Sequence, residues 1–283
     1  MIVPQLCSLM RSAGGNLDLC DMYAATSNKE FDVPSCPSDD LSSLCFSSKA
    51  WLCATSWDCT VSLWEVTSQQ AAPKAQYRHE KPAVCSVFTP DGSKVISAGF
   101  DNKALMHDLQ TGGQQQVAQH SAGIRCIKMF NDILITGGLD NCIKYWDCRQ
   151  PNPVGQVQCP GKVFAIDVCQ NLMVAGLSNL KVALFDLNQP NQPQDTLPVD
   201  PIRHQIRSVG IVRPDPRSYV VGSVEGRCII KYVSPSFGEQ FSFKCQRTST
   251  TAYPVTQIEC HPMGTIATIG GEAGIHVWDP VFR

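Results

Sequence analysis

The chain holds six histidines, the residues best suited to moving protons near neutral pH: His79, His107, His120, His204, His261 and His276. Their positions read as structural. His79, His120 and His204 each precede a strand-like stretch, His261 falls in a turn, and His107 and His276 lie inside strand-like stretches. The most complete set is His120, Thr136, Asp140 and Trp146. A histidine before the first strand of a unit, a hydroxyl in the second, an aspartate in the next turn and a tryptophan in the third form one hydrogen-bonded chain. Such a chain satisfies polar groups that are otherwise costly to bury. No phosphate-binding Gly-x-x-x-x-Gly-Lys, no His-Glu-x-x-His and no Gly-x-Ser-x-Gly is present. The glycines of Thr136-Gly137-Gly138 and Ile269-Gly270-Gly271 read as tight turns at strand ends rather than phosphate cradles. The reading is of a protein that is not an enzyme, with no metal and no cofactor.

The elements that position these residues repeat. Six strand-like stretches end at Trp64, His107, Trp146, Phe185, Tyr232 and Trp278, at spacings of 43, 39, 39, 47 and 46 residues. A period near 40 to 45 with Trp-Asp endings is the signature of a four-stranded propeller blade. The first unit runs through Leu41–Phe46, Trp51–Thr55 and Thr60–Trp64; the second through Val84–Phe88, Lys94–Ala98 and Ala104–His107, with Pro90-Asp91-Gly92 as a tight turn. The third runs through Ile124–Met129, Ile133–Thr136 and Ile143–Trp146, and three further units follow. No useful helical periodicity appears, so the fold class is all-β: a propeller with six recognisable blades. Units that depart from the pattern, such as the one with His107 in the tryptophan position, are expected to be softer. Residues 1–28 fit no repeat and are expected to be irregular; the propeller domain spans 29–283.

Composition narrows the function. The 283 residues carry a formal net charge of −2, and 17% are charged, which argues against wholesale coating of nucleic acid. The 15 cysteines, with no Cys-x-x-Cys pair, sit largely in apolar runs, as reduced core thiols of a cytosolic or nuclear protein do. No apolar run approaches the ~20 residues of a membrane span, so no membrane insertion is expected. From Ile202 to Arg247, eight basic residues face three acidic ones, a local excess of +5 that leaves −7 elsewhere. A basic sector of this kind attracts an acidic peptide or RNA if its side chains converge, and does nothing in particular if they decorate separate hairpins.

Glu225-Gly226-Arg227, followed by Phe241-Ser242-Phe243-Lys244-Cys245, resembles one WD-repeat branch: the mRNA-export propeller of the nuclear pore and its sister, the mitotic-checkpoint adaptor propeller. Ser56-Trp57-Asp58 matches both, and three further stretches favour the export branch: Pro73-Lys74-Ala75-Gln76, Asp91-Gly92-Ser93-Lys94-Val95 and Val117-Ala118-Gln119-His120. Met106-His107-Asp108-Leu109 and Trp278-Asp279-Pro280 lean to the checkpoint branch. The resemblance covers about residues 30 to 283. It implies a scaffold that binds an acidic, hairpin-forming GLEBS segment of a nucleoporin, through Arg227 with Trp57 on the same face. It further implies an edge pocket of Phe243, Trp278 and Arg283 near RNA, with Lys244 a further partner-binding residue. The implied location is nucleus, nuclear envelope at the pore, and cytoplasm, and the alternative partners are checkpoint kinases. For single residues the plainer readings stay open: strand packing for Trp57, core for Phe243, the repeat network for Trp278.

The related families carry seven blades. Here the sequence stops five residues after Trp278, and only an outer strand of a last blade, near Phe31–Val33, is expected. The chain is then either a truncated form or one that residues 1–28 close, and an incomplete propeller exposes two sheet edges.

Overall fold

Alternation of β-branched and small residues, punctuated by Gly, Asn and Asp turns, produces a run of antiparallel meanders. The computed structural model describes residues 31–271 and 274–279; the segment 1–28 and Arg283 lie outside the described residues. Among the described residues, six sheets follow one another along the chain. The first holds β1 (Leu41–Phe46), β2 (Trp51–Ser56), β3 (Thr60–Val66) and β4 (Ala71–Arg78), the second β5 (Ala83–Phe88), β6 (Lys94–Gly99), β7 (Lys103–Asp108) and β8 (Gln114–Gln119). The third holds β9 (Ile124–Phe130), β10 (Ile133–Gly138), β11 (Cys142–Asp147) and β12 (Gly155–Gln158), the fourth β13 (Val163–Cys169), β14 (Leu172–Leu177), β15 (Lys181–Asp186) and β16 (Asp195–Pro198). The fifth holds β17 (Ile206–Ile211), β18 (Ser218–Ser223), β19 (Arg227–Tyr232) and β20 (Phe241–Lys244). The sixth has three strands among the described residues: β21 (Val255–Cys260), β22 (Ile266–Gly270) and β23 (Ile275–Trp278). Among the described residues a single 3-10 turn, Pro235–Phe237, interrupts the β succession. The fold is that of a β-propeller with six blades.

The chain divides into two compact units, residues 1–140 with 144–155, and 141–143 with 156–283. Within each, the second strand of a blade is buried on both faces, as in β6 and β18, because neighbouring blades sandwich it. In the first unit Ile96, Ala98, Met106, Ile124, Ile127, Leu134 and Trp146 form one cluster joining the second and third blades. In the second, Val182, Leu184, Val209, Tyr219, Val221 and Ile229 do the same for the fourth and fifth. Burying such side chains stabilises by roughly 1.5–3 kcal/mol each.

Two expectations fail. Residues 31–40 contain no strand. Pro34 and Pro37 remove backbone donors there, and Phe31 and Val33 instead pack onto the first blade against Leu52, Ala54, Trp64, Val66 and Ala71. Trp64 Nε1 donates to the Pro34 carbonyl at 2.7 Å. The glycine pairs are not tight turns either: Gly137, Gly138 and Gly270 lie within strands, and only Gly271 falls in a turn. A Cβ at Gly138 would overlap Asp140 Oδ1 and His120 Nδ1, so this glycine makes room for the histidine–aspartate pair. The turn at Pro90-Asp91-Gly92 forms as expected: Gly92 takes φ +64°, and Asp91 accepts from Thr89 Oγ1 at 2.6 Å and Ser93 N at 3.2 Å.

Candidate partner-binding surfaces

The buried hydrogen-bond chain of the third blade is complete. His120 Nδ1 lies 2.9 Å from Asp140 Oδ1, His120 Nε2 lies 2.7 Å from Thr136 Oγ1, and Trp146 Nε1 donates to Thr136 Oγ1 at 2.9 Å. A carboxylate only accepts, so Nδ1 carries the proton and Nε2 accepts from the threonine hydroxyl. Burial pushes the His120 imidazole below its ordinary pKa, more than the neighbouring Asp140 raises it, which keeps the ring neutral. This arrangement fastens a strand to a turn.

The second blade builds the same chain with a different last member. His79 Nδ1 meets Asp101 Oδ2 at 2.8 Å and His79 Nε2 meets Ser97 Oγ at 2.8 Å. Burial works to raise the Asp101 carboxyl, but hydrogen bonds from His79, Lys103 and Glu80 together hold it below its usual value. In the place of tryptophan, Tyr77 from β4 puts its hydroxyl 2.9 Å from Ser97 Oγ and stacks on His107 at 5.0 Å. Sequence reasoning missed Tyr77. The available signal was the anomalous His107 together with an aromatic residue two positions before His79. In the sixth blade Trp278 Nε1 donates to Thr268 Oγ1 at 2.9 Å, and fully buried Gln246 donates to the Thr268 carbonyl at 3.1 Å. Gln246 stands in the histidine role, which no residue-type pattern could flag. His204, by contrast, is exposed.

Trp57 projects from the turn between β2 and β3 and is 44% exposed. Its ring lies 5.7 Å from that of Phe100, in the equivalent turn of the second blade. Trp57 is therefore a surface aromatic with one aromatic neighbour rather than strand core. Backbone anchors hold it: Trp57 N donates to the Asp40 carbonyl at 3.0 Å, and Ser56 Oγ to the carbonyls of Asp39 and Asp40.

In the other unit, Arg227 opens β19 directly after Gly226, whose φ of +64° is left-handed. Arg227 is half-buried, and its Nη1 donates to Ser242 Oγ at 3.2 Å. Its register partner across β19 and β20 is Lys244, and Arg247 packs its stem against Gly226, where a Cβ would lie 2.8 Å from Arg247 Cγ. Lys244 and Arg247 are exposed. Among the described residues, no carboxylate forms an ion pair with any of these three cations. The basic sector thus splits. Arg213 lies 3.8 Å from Asp167, Arg217 pairs with Asp215 at 2.6 Å, and Lys231 donates to the Pro198 carbonyl, while Arg227, Lys244 and Arg247 gather at one corner of the fifth blade.

Phe243 and Trp278 come together, with ring centroids 4.8 Å apart. Both are half-buried and pack on a cluster that includes Val220, Cys228, Ile230, Cys245 and Val255. Each is therefore partly core and partly surface. Trp278 also serves the repeat network through Thr268. Among the described residues, no group of three His, Cys, Asp or Glu is placed to hold a metal ion, and no helix is long and apolar enough to cross a membrane.

Four-stranded blades tied by a buried histidine–hydroxyl–aspartate–tryptophan chain define a WD-repeat propeller. The WD40 family (WD domain, G-beta repeat) matches residues 30–65, 72–108 and 113–147. The chain is 37% identical over 267 residues to mRNA export factor GLE2 of Chaetomium thermophilum, a match covering 88% of this chain and 74% of the relative. It is 36% identical over 265 residues to the Poly(A)+ RNA export protein of Schizosaccharomyces pombe, covering 89% and 74%. It is 30% identical over 275 residues to mitotic checkpoint protein bub-3 of Caenorhabditis elegans, covering 90% and 78%. The chain belongs to the mRNA export factor family of WD40-repeat proteins.

Proposed function

We propose that this protein is a non-catalytic scaffold of mRNA export that captures an acidic GLEBS segment of a nucleoporin, working in the nucleus and at the nuclear pore and reaching the cytoplasm. The observation that carries the reading is the corner of Arg227, Lys244 and Arg247, three cations gathered around the β18–β19 turn without a carboxylate partner among the described residues. Like charges placed directly across a strand pair are unfavourable, so an incoming carboxylate relieves repulsion as well as forming charge-assisted, bidentate hydrogen bonds with the arginine. The exposed Trp57, with Phe100 beside it, offers the kind of aromatic anchor that dominates binding energy. Relatives named as export factors support the export assignment.

The test is binding of a synthetic GLEBS peptide, followed by fluorescence anisotropy. Arg227→Glu is expected to weaken it at least about tenfold through charge reversal; an unchanged Kd rejects the reading. A checkpoint adaptor, the reading favoured by the similarity to bub-3, would use the same corner. A GLEBS peptide from a checkpoint kinase binding more tightly than the nucleoporin peptide would establish it. RNA as the principal ligand is less well supported, because Arg213, Arg217 and Lys231 of the basic sector make contacts of their own away from the corner. RNA affinity falling steeply with salt would reverse that judgement.

A further inference from the structure

Ser38 lies in the strand-free strap of residues 31–40 that crosses the first blade, and it is exposed. Its backbone N and its Oγ both donate to Asp58 Oδ2, at 2.8 and 3.0 Å. Asp58 Oδ1 receives Thr60 N at 2.8 Å and the Thr60 hydroxyl. Burial works to raise the Asp58 carboxyl, but the hydrogen bonds from Thr60 and Ser38 outweigh it and hold the group well below the ordinary carboxylate range, so it is ionised at neutral pH. The next two residues, Asp39 and Asp40, are exposed and acidic, and their carbonyls receive Ser56 Oγ and the Trp57 amide. The Ser38 amide and hydroxyl together therefore latch the strap to Asp58 immediately before the residues that hold Trp57 in place.

We propose that Ser38 is a phosphorylation site for an acidophilic serine/threonine kinase, and that its modification unlatches the strap from the first blade. The context suits such a kinase: an exposed serine, in a bend of the strap, with aspartates at the two following positions. In the transfer, Ser38 Oγ attacks the γ-phosphorus of ATP. The Oγ–P bond forms, the bridging bond to the β-phosphate breaks, ADP leaves and the hydroxyl proton passes to the kinase base. The hydroxyl donor becomes a group of about −2 charge. It then faces the Asp58 carboxylate at hydrogen-bond distance, with Asp39 and Asp40 alongside. Repulsion replaces attraction, and the part of the strap from Ser38 to Asp40, which has no sheet pairing of its own, opens. Trp64 Nε1→Pro34 remains as the tether further along the strap. The effect on Trp57 as a binding residue rests on the function proposed above; the unlatching itself does not.

The full chain is incubated with ATP and a purified acidophilic casein kinase, and the modified residue is mapped by mass spectrometry. In parallel, phosphoserine is installed at position 38 by codon reassignment, and amide hydrogen exchange is followed at Ser38 and Trp57. The expected results are phosphate on Ser38, and exchange at both amides faster by about tenfold or more. Asp58→Asn, which keeps an acceptor but removes the charge, is expected to blunt the acceleration. Kinase treatment that leaves Ser38 unmodified overturns the site. Unchanged exchange with phosphoserine in place, or an acceleration that Asp58→Asn leaves intact, overturns the latch. Failure of the unphosphorylated protein to bind an acidic peptide, with the exchange response preserved, rejects only the binding reading.

Discussion

The Tyr77 hydroxyl sits 2.9 Å from Ser97 Oγ while the Tyr77 ring stacks on His107. Tyr77 thereby supplies to Ser97 what Trp146 supplies to Thr136, from a different strand. A histidine in the third strand of the second blade is tolerated because an aromatic residue of the first blade fills its hydrogen-bonding role. The cost that remains is at His107, whose Nδ1 is buried without a partner.

Removing the tyrosine hydroxyl therefore measures the substitution. Tyr77→Phe is expected to cost about 1 kcal/mol, the ordinary net worth of such a bond. Urea denaturation of the two proteins checks it, and a difference near zero would mean that Ser97 is satisfied by His79 alone.

Gly138 tests the packing of the third-blade chain. A Cβ there overlaps Asp140 Oδ1 and His120 Nδ1, so Gly138→Ala forces the pair apart. The expected loss is about 1–3 kcal/mol, typical of overpacking, visible as a lower thermal midpoint. Circular dichroism is expected to keep its β signature, since the change is local to one blade.

The buried histidines set a pH dependence. Burial depresses His120 and, in the same direction, His107. The folded state then binds the proton less readily than the unfolded chain, whose histidines titrate near 6.5. The contribution is full above that value and declines as pH falls below it. Unfolding free energy is expected to drop between about pH 6.5 and pH 5, and His120→Gln to flatten part of that slope. Denaturant titrations at three pH values within this window decide it.

Phe243 is held by Trp278 at 4.8 Å and by the cluster beneath. Phe243→Ala is expected to cost about 2 kcal/mol, less than a fully buried phenylalanine because the site is half open. It should also red-shift tryptophan emission by exposing Trp278. Stability loss without an emission change would place the packing energy elsewhere.

Lys244 and Arg247 separate binding from folding. Both are exposed and lack ion-pair partners among the described residues, so Lys244→Ala and Arg247→Ala are expected to change stability by no more than about 0.5 kcal/mol. Each should weaken an acidic GLEBS peptide by roughly three- to tenfold, mostly at low salt. Anisotropy at two ionic strengths reports both.

The sequence alone carried the blade count and the third-strand endings from Trp64 to Trp278, because a doubly buried strand must repeat its apolar residues wherever the blade repeats. It carried the set of His120, Thr136, Asp140 and Trp146 because all four belong to one unit. It did not delimit the outer strands: Gln114-Gln115-Gln116 is exposed and polar, and only pairing with β7 makes it a strand. It misplaced Phe31–Val33 as a strand, since apolar residues beside prolines look alike whether they pair or merely pack. It misread Gly138 as a turn, since a glycine required by a neighbour's bulk has no local mark. Tyr77, Gln246 and the gathering of Arg227, Lys244 and Arg247 were settled by tertiary structure. Each depends on a register or a loop return that brings together residues from different strands, and single-chain periodicity reports only which face a residue takes, not what it meets there.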